Sequence, residues 1–219
     1  MQISDAVRSL DRDLRSIFSS RLRSLVAYGE PGGAGRTPVA TLAVVDGLTA
    51  DDLRACTTRV AAWQDAGLAT PILLGAREFA RSLDAFPYEF GAILADHVVV
   101  SGDNPFDGLR VDPADLRRAC EVQARGHLLH LREGYLETRG RSDALADLIA
   151  RSAPAFVALV GCVRRLDPAW ANRANVGAIE RLAAGGTLTS EGARQLFPDY
   201  LAAMEGLVHD IDQWSGDGR

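Results

Sequence analysis

The sequence predicts an α+β chain in which a small mixed sheet flanked by helices precedes an all-helical bundle. Two observations predict this order. Short apolar runs alternate with helical patterns up to about residue 109, and helical patterns alone follow. A turn-rich stretch, residues 101–112, lies between the two parts. We therefore expect an α/β domain over residues 1–109 and a helical bundle domain over residues 110–219.

The α/β part begins with a helix, a strand, a loop and a second strand. Apolar residues recur at helical spacing near the start of the chain: Ile3, Val7, Leu10, Leu14, Ile17 and Phe18. Residues 25–28 form a short apolar run that is typical of a buried strand. Residues 29–36 (GEPGGAGR) are too rich in glycine for anything but a loop. Residues 39–45 are nearly all apolar or β-branched, as in strands covered on both faces.

The remaining α/β elements follow from capping and turn signals. Thr49 and Asp52 are spaced as in a capping box and predict a helix to about residue 64. Residues 71–74 and 97–100 are predicted as the third and fourth strands. A helix is expected over residues 76–83, and a further amphipathic segment follows Pro87.

The helical part begins at Asp112 and Pro113, which are typical of an N-cap and a first helical position. One face of a long helix follows: Leu116, Cys120, Ala124, Leu128, Leu131 and Tyr135. Gly140 ends this helix. A second helix runs from about residue 142 past residue 163, and Pro154 should kink it or split it.

Two more helices complete the predicted bundle. One covers roughly residues 173–184. The other begins after Thr189 and reaches about residue 214, with Pro198 as an interruption.

The chain contains no lysine, and all 24 of its basic residues are arginine. A Walker A phosphate loop is therefore excluded, since it ends in Gly-Lys-Ser/Thr. Schiff-base chemistry and a lysine general base are excluded for the same reason. Arginine remains available to bind an anionic group through its planar fork of donors.

The net charge of −5 gives no overall basic field, so we do not expect a nucleic-acid partner. No stretch approaches the roughly 18 apolar residues of a membrane span. The N-terminus lacks the apolar run of a signal peptide. We therefore expect a cytoplasmic protein without a membrane partner. The many alanines and arginines, with no lysine, are typical of a GC-rich bacterial genome.

The three cysteines, Cys56, Cys120 and Cys162, are odd in number and far apart in the sequence. No pair has the spacing of metal ligands. We expect no disulfide, and all three thiols should behave as small apolar groups.

A strand ending in Tyr-Gly, a glycine-rich loop and a strand ending in Val-Val-Asp together resemble the start of the nucleotidyltransferase superfamily, which includes aminoglycoside nucleotidyltransferases. Later segments are similar as well: residues 86–90 and 98–106 at the end of the α/β part, and residues 116–121 and 125–129 in the first bundle helix. The resemblance covers about residues 1–160. It implies a nucleotidyltransferase-like fold.

The family signature is Gly-Ser, about ten residues, then Asp-x-Asp on the next strand. Carboxylates two residues apart on a strand point to one face, where they hold a divalent metal against a triphosphate. The aligned positions here are Val39 and Thr41, and Glu30 stands where the serine should be. A carboxylate at residue 30 would repel a phosphate. The resemblance therefore implies a degenerate site.

Other alignments do not restore the signature. A shift by one residue places Ala40 and Leu42 in the carboxylate positions. A third family carboxylate would fall near Thr70 or Pro71. Asp46 lies too far along the chain to share a face with the centre of the strand.

The candidate ligand-binding residues are Gly29, Glu30, Arg36, Glu89 and Arg125. The first three lie in the glycine-rich loop, which is either a structural loop or a retained anion site. Glu89 and Arg125 lie in family-matched stretches. An arginine on the first bundle helix could meet an anionic ligand bidentately in an inter-domain cleft.

His127 and His130 lie three residues apart on the first bundle helix, with Glu133 another three residues on. This is not the His-Glu-x-x-His pattern of a zinc protease. The residues border the apolar stripe, so we expect solvated or cleft-edge side chains and no metal site. No Gly-x-Ser-x-Gly nucleophile elbow is present.

Three functions are consistent with these observations. The first is a catalytically inactive nucleotidyltransferase-like protein that binds a small molecule or nucleotide as a ligand-binding or regulatory module, without a cofactor. The second is an active enzyme that uses magnesium and a nucleoside triphosphate with displaced carboxylates, such as Glu30, Asp46 or Glu89. The third is an interaction or homodimerisation module built on the helical domain, through residues 153–163 or the terminal helix ending in Trp214.

Overall fold

A computed structural model describes residues 3–29, 38–167 and 176–214. The chain divides into two compact units, Met1–Val111 and Asp112–Arg219. The first contains a sheet with flanking helices, and the described part of the second is entirely helical. The predicted α+β fold class is therefore confirmed.

The first unit contains a four-stranded mixed sheet in the order β3-β2-β1-β4. Its strands are β1 (Leu22–Tyr28), β2 (Ala40–Val45), β3 (Ile72–Gly75) and β4 (His97–Gly102). β1 is antiparallel to both β2 and β4, whereas β2 and β3 are parallel. The C-terminal end of β1 therefore lies at the same sheet edge as the starts of the other three strands.

Five α-helices flank the sheet in the described part of this unit: α1 (Asp5–Phe18), α2 (Ala50–Thr57), α3 (Val60–Asp65), α4 (Ala76–Ala85) and α5 (Pro87–Ala95), with a 3₁₀ turn at Ser19–Arg21. The capping box of Thr49 and Asp52 is present. The single helix expected to about residue 64 is instead α2 and α3. The hydroxyl groups of Thr57 and Thr58 donate to carbonyls three residues earlier, which competes with continuation of the helix.

Both faces of the sheet are covered. On the first face, β1 and β2 pack under α1, α2 and α3: Leu25, Ala27, Ala43, Val45, Leu14, Phe18 and Trp63. On the second face they pack under α4 and α5: Val26, Leu42, Val44, Phe79, Leu83, Phe90 and Ile93. Alternate strand residues point to opposite faces, so β2 must be apolar at nearly every position. This explains its continuous apolar sequence.

The second unit contains α6 (Pro113–Glu137), α7 (Ser142–Leu166), α8 (Gly177–Ala183) and α9 (Ser190–Gln213). α7 packs against the other three helices. The predicted start of the third bundle helix, at residue 173, lies outside the described residues. Pro154 does not split α7, which is continuous through it, and Pro198 lies within a continuous α9. Both prolines lie on exposed positions, where water can satisfy the carbonyl left without its partner.

A disulfide joins Cys120 of α6 to Cys162 of α7, so the expectation of no disulfide is wrong. Both residues are fully buried, and their Cα atoms lie 6.5 Å apart, within the range that a disulfide spans. Residues 42 positions apart meet only because α6 and α7 pack side by side, which sequence spacing does not reveal. Cys56 is free and buried in the first unit.

Among the described residues, α7 is the one helix long and apolar enough to cross a membrane by length and composition. The core helix of a bundle meets the same criteria. Ile149, Phe156 and Val160 of α7 are buried completely inside the unit.

Candidate functional site

The positions that match the Gly-Ser and Asp-x-Asp signature lie near one edge of the sheet in the first unit, where β1 ends and β2 begins. Tyr28 pairs with Ala40 of β2 on one side and with His97 of β4 on the other. Gly29 follows with a φ of 75°, a conformation that residues with a side chain rarely adopt. The glycine of the signature is therefore required by the backbone itself. Glu30 and Arg36 lie outside the described residues.

Val39 and Thr41 both point to the first face of the sheet. Val39 packs against the apolar cluster there, and Thr41 lies directly opposite Ala27 of the same cluster. Thr41 is only 1% exposed, and its hydroxyl group has no hydrogen-bond partner among the described residues. The two carboxylate positions of the signature thus lie on the face of the sheet that packs against α1, α2 and α3. Magnesium needs oxygen ligands and water around it, and these residues do not fit it.

Shifting the alignment to the signature by one residue does not give a metal site either. Leu42 is fully buried on the second face, under α4 and α5. At the third family position, the Thr70 hydroxyl accepts a hydrogen bond of 3.2 Å from Gln64 Nε2. Within residues 3–29, 38–167 and 176–214, no three His, Cys, Asp or Glu side chains are grouped so that they could hold a metal.

Among the described residues, the fold brings the polar side chains of Tyr28 and His97 to this edge, where the two are direct cross-strand neighbours. Burial raises the pKa of the Tyr28 hydroxyl. His97 Nδ1 lies 3.0 Å from the Ile93 carbonyl oxygen, and Nε2 lies 3.1 Å from Asn104 Oδ1. Asn104 Oδ1 also accepts from the Phe106 N–H, which fixes the orientation of the amide. A neutral imidazole can therefore donate to only one of its two neighbours.

Neither Tyr28 nor His97 stands out in the sequence, because their pairing depends on the register of β1 against β4. Tyr28 ends one apolar run and His97 begins another, 69 positions later. A sequence predicts the two strands separately but does not state which residues lie opposite each other.

Glu89 and Arg125 are placed in different units. Glu89 lies exposed in the first turn of α5. Arg125 of α6 donates to Glu121 at 3.0 Å and to both carboxylate oxygens of Asp212 at 2.6 and 2.8 Å. The hydrogen bonds to Glu121 and Asp212 raise the pKa of Arg125. An anionic ligand would therefore have to displace Asp212 from this guanidinium.

His127, which the sequence predicts as a solvated or cleft-edge side chain, is half-buried. Its Nε2 lies 2.9 Å from the hydroxyl of Tyr200, a fully buried residue of α9. Burial lowers the pKa of His127, and the neighbouring His130 lowers it further. His130 is exposed and contacts Glu133. His127 borders the apolar stripe of α6. The contact with Tyr200 of α9 partly buries its imidazole.

No protein-family model matches the chain, and no curated protein matches it. Among solved structures, the chain is similar to a spectinomycin adenyltransferase from Enterococcus faecialis, solved with ATP and spectinomycin. The similarity covers 95% of this chain and 99% of the other, at 11% identity and a TM-score of 0.47. At this TM-score the likeness assigns no function to the chain.

Proposed function

We propose that this chain is a nucleotidyltransferase-like protein without transferase activity, which binds a small molecule or nucleotide as a ligand-binding or regulatory module. The observation that carries the proposal is the environment of Thr41. It stands at a carboxylate position of the signature and is buried among apolar side chains. An aspartate there would be desolvated at a cost on the order of several kcal/mol.

The alternative of displaced carboxylates, such as Glu30, Asp46 or Glu89, requires carboxylates to converge on one metal site. Asp46 follows β2 at the opposite end of the hairpin from Gly29, where its N–H donates to the Arg21 carbonyl. Seven residues of β1 separate the two ends, which is about 20 Å for an extended strand. Asp46 is also paired with Arg23 at 2.5 Å. This geometry supports the inactive form over the alternative.

Calorimetric titration of ATP, with and without magnesium, tests the proposal when it is combined with an assay for pyrophosphate release. Without metal carboxylates, any ATP affinity should be the same with and without magnesium, and no pyrophosphate should appear with aminoglycoside or other hydroxyl acceptors. Magnesium-dependent binding accompanied by turnover would overturn the proposal.

A matched pair of variants reports on the glycine-rich loop. Arg36 is the only basic residue of residues 29–36. If the loop holds the anionic part of a ligand, Arg36→Gln should weaken ATP binding severalfold. Arg12→Gln, an exposed arginine of α1, should leave the binding unchanged.

A second candidate function is self-association through α6. Val122, Leu129 and Leu136 lie seven residues apart and are 68%, 57% and 75% exposed. Seven-residue spacing places them in one stripe, as in helices that pair along their length. In contrast, the large side chains of residues 153–163 are buried within the bundle. Trp214 Nε1–H donates to the Leu166 carbonyl of the same unit.

Light scattering over a concentration series tests this candidate. The wild-type chain should form a dimer whose population rises with concentration, and Leu129→Glu should shift it to monomer. Leu53→Glu, at an exposed leucine of α2, is the matched control and should dimerise like the wild type. A wild-type chain that stays monomeric at about 100 µM, well above the micromolar range of stable pairs, would exclude the candidate.

A further inference from the structure

A pocket of about 740 Å³ lies in the first unit, between the edge strand β3 and helix α4. This volume is within the range of small-molecule sites in proteins, about 300–1,000 Å³. Among the described residues, neither Gly29 nor the signature positions Val39 and Thr41 line this pocket.

Its walls are mostly apolar. Ile72 and Leu74 of β3 form one side, and Phe90 of α5 lies within the pocket lining. Phe86, between α4 and α5, is 55% exposed although it is a large aromatic residue. An exposed aromatic side chain beside a pocket offers a flat surface for a ring of a ligand.

The charged residues of the pocket come from α4. Arg77 and Arg81 lie four residues apart, so their side chains leave the helix on the same face. Neither guanidinium makes an ion pair or hydrogen bond with any described residue. Glu78 also lines the pocket, but its Oε2 accepts from the Gly75 N–H and so caps the start of α4. Two arginines against one carboxylate leave a net charge of +1.

We propose that this pocket binds a small aromatic anion, a carboxylate or phosphate attached to a ring system. The ring would stack on Phe86 and cover Ile72 and Phe90, while Arg77 and Arg81 would donate to the anionic group. Binding would satisfy the guanidinium donors and remove exposed aromatic surface from water. The described lining includes neither Gly29 nor Val39 nor Thr41, so this proposal rests on observations other than those behind the function proposed above.

Fluorescence titration of the full chain with anilinonaphthalene sulfonate, an aromatic anion, tests the site. The probe should bind saturably with one molecule per chain. The double variant Arg77→Gln/Arg81→Gln should weaken binding at least about tenfold, as loss of a charge-assisted hydrogen bond does. 1-Naphthoate or 1-naphthyl phosphate should displace the probe, and the better competitor identifies the anionic group. Uncharged 2-naphthol should compete poorly.

Three variants separate this pocket from other sources of probe fluorescence. Ala85→Trp, an exposed position in the lining, should fill the pocket and abolish binding while both arginines remain. Arg12→Gln and Arg36→Gln should bind the probe like the wild type. A cooperative melting transition in each variant excludes binding to partly folded chain. Unchanged affinity in either the double variant or Ala85→Trp would overturn the proposal.

Discussion

Thr41 carries a hydroxyl group that the core of the first unit does not use. The residue is 1% exposed, and Oγ1 has no hydrogen-bond partner among the described residues. A buried donor without a partner loses its hydrogen bonds to water and gains none, at a cost of about 1–3 kcal/mol. Valine has nearly the same shape. We therefore expect Thr41→Val to stabilise the first unit by about 1 kcal/mol, measured by urea unfolding.

Ser24 provides the matched control in the same unit. It is buried like Thr41, but its Oγ donates to the Asp103 carbonyl at 2.6 Å. Ser24→Ala should therefore destabilise the unit by about 1 kcal/mol, because it leaves that carbonyl without its donor. Equal losses of stability in Thr41→Val and Ser24→Ala would show that the Thr41 hydroxyl makes a hydrogen bond in the folded chain.

The helices of the second unit are connected through a chain of polar side chains. His127 of α6 contacts the Tyr200 hydroxyl of α9, which in turn donates to Ser152 Oγ of α7 at 3.0 Å. Ser152 Oγ donates to the Ile149 carbonyl. Burial raises the pKa of Tyr200 to about 12. The Tyr200 hydroxyl donates its proton to Ser152, so the Tyr200 oxygen accepts from His127 Nε2–H. Each of the three donors in this network therefore has an acceptor.

This network predicts how the bundle responds to acid. The pKa of His127 in the folded chain lies below its ordinary value of 6.5. The unfolded chain therefore binds a proton first as the pH falls, and stability decreases from about pH 6.5 down to the lowered pKa. His127→Gln keeps an N–H donor for Tyr200 but does not titrate. Its unfolding free energy should change less between pH 7.5 and pH 5.5 than that of the wild type.

His209, an exposed histidine of α9, provides the control for this comparison. His209→Gln should retain the pH dependence of the wild type, measured by urea unfolding followed by circular dichroism. Equal pH dependence in His127→Gln and the wild type would show that His127 does not couple bundle stability to pH.

The elements differ in how far the sequence alone predicts them. β2 was predicted at nearly its observed bounds because strands covered on both faces are apolar throughout. The starts of α2 and α6 are predictable from the capping residues Thr49 and Asp112, because a cap bonds to the backbone within three residues of itself. The break between α2 and α3 was not predicted, because it depends on competing hydrogen bonds of Thr57 and Thr58.

The candidate site is predictable only in part, because its side chains meet through long-range packing. The spacing along the chain aligns residues 39 and 41 with the carboxylates of the signature, and the sequence has no carboxylate at either position. The sequence does not reveal that Thr41 is buried on the face of the sheet that packs against α1, α2 and α3, because burial depends on long-range packing. The Tyr28–His97 pair and the Arg125–Asp212 pair depend on register and helix packing in the same way.

At the scale of the whole molecule, the two compact units should respond differently to reduction. The disulfide between Cys120 and Cys162 closes a loop of 42 residues within the second unit, and the only cysteine of the first unit is Cys56. When the protein is purified without reductant, alkylation under denaturing conditions should therefore label one thiol, that of Cys56. After reduction it should label three. Three labels without reduction would show that the disulfide does not form.

Stability should change in the second unit alone. Closing a loop of this length lowers the entropy of the unfolded chain by an amount worth about 4 kcal/mol near 25 °C. Each unit has its own buried core and should give its own unfolding transition in scanning calorimetry. The paired variant Cys120→Ser/Cys162→Ser should lower the transition of the helical unit and leave the other in place. Cys56→Ser should not affect the helical unit. If the paired variant shifts both transitions equally, the chain unfolds as one cooperative body and the disulfide stabilises all of it.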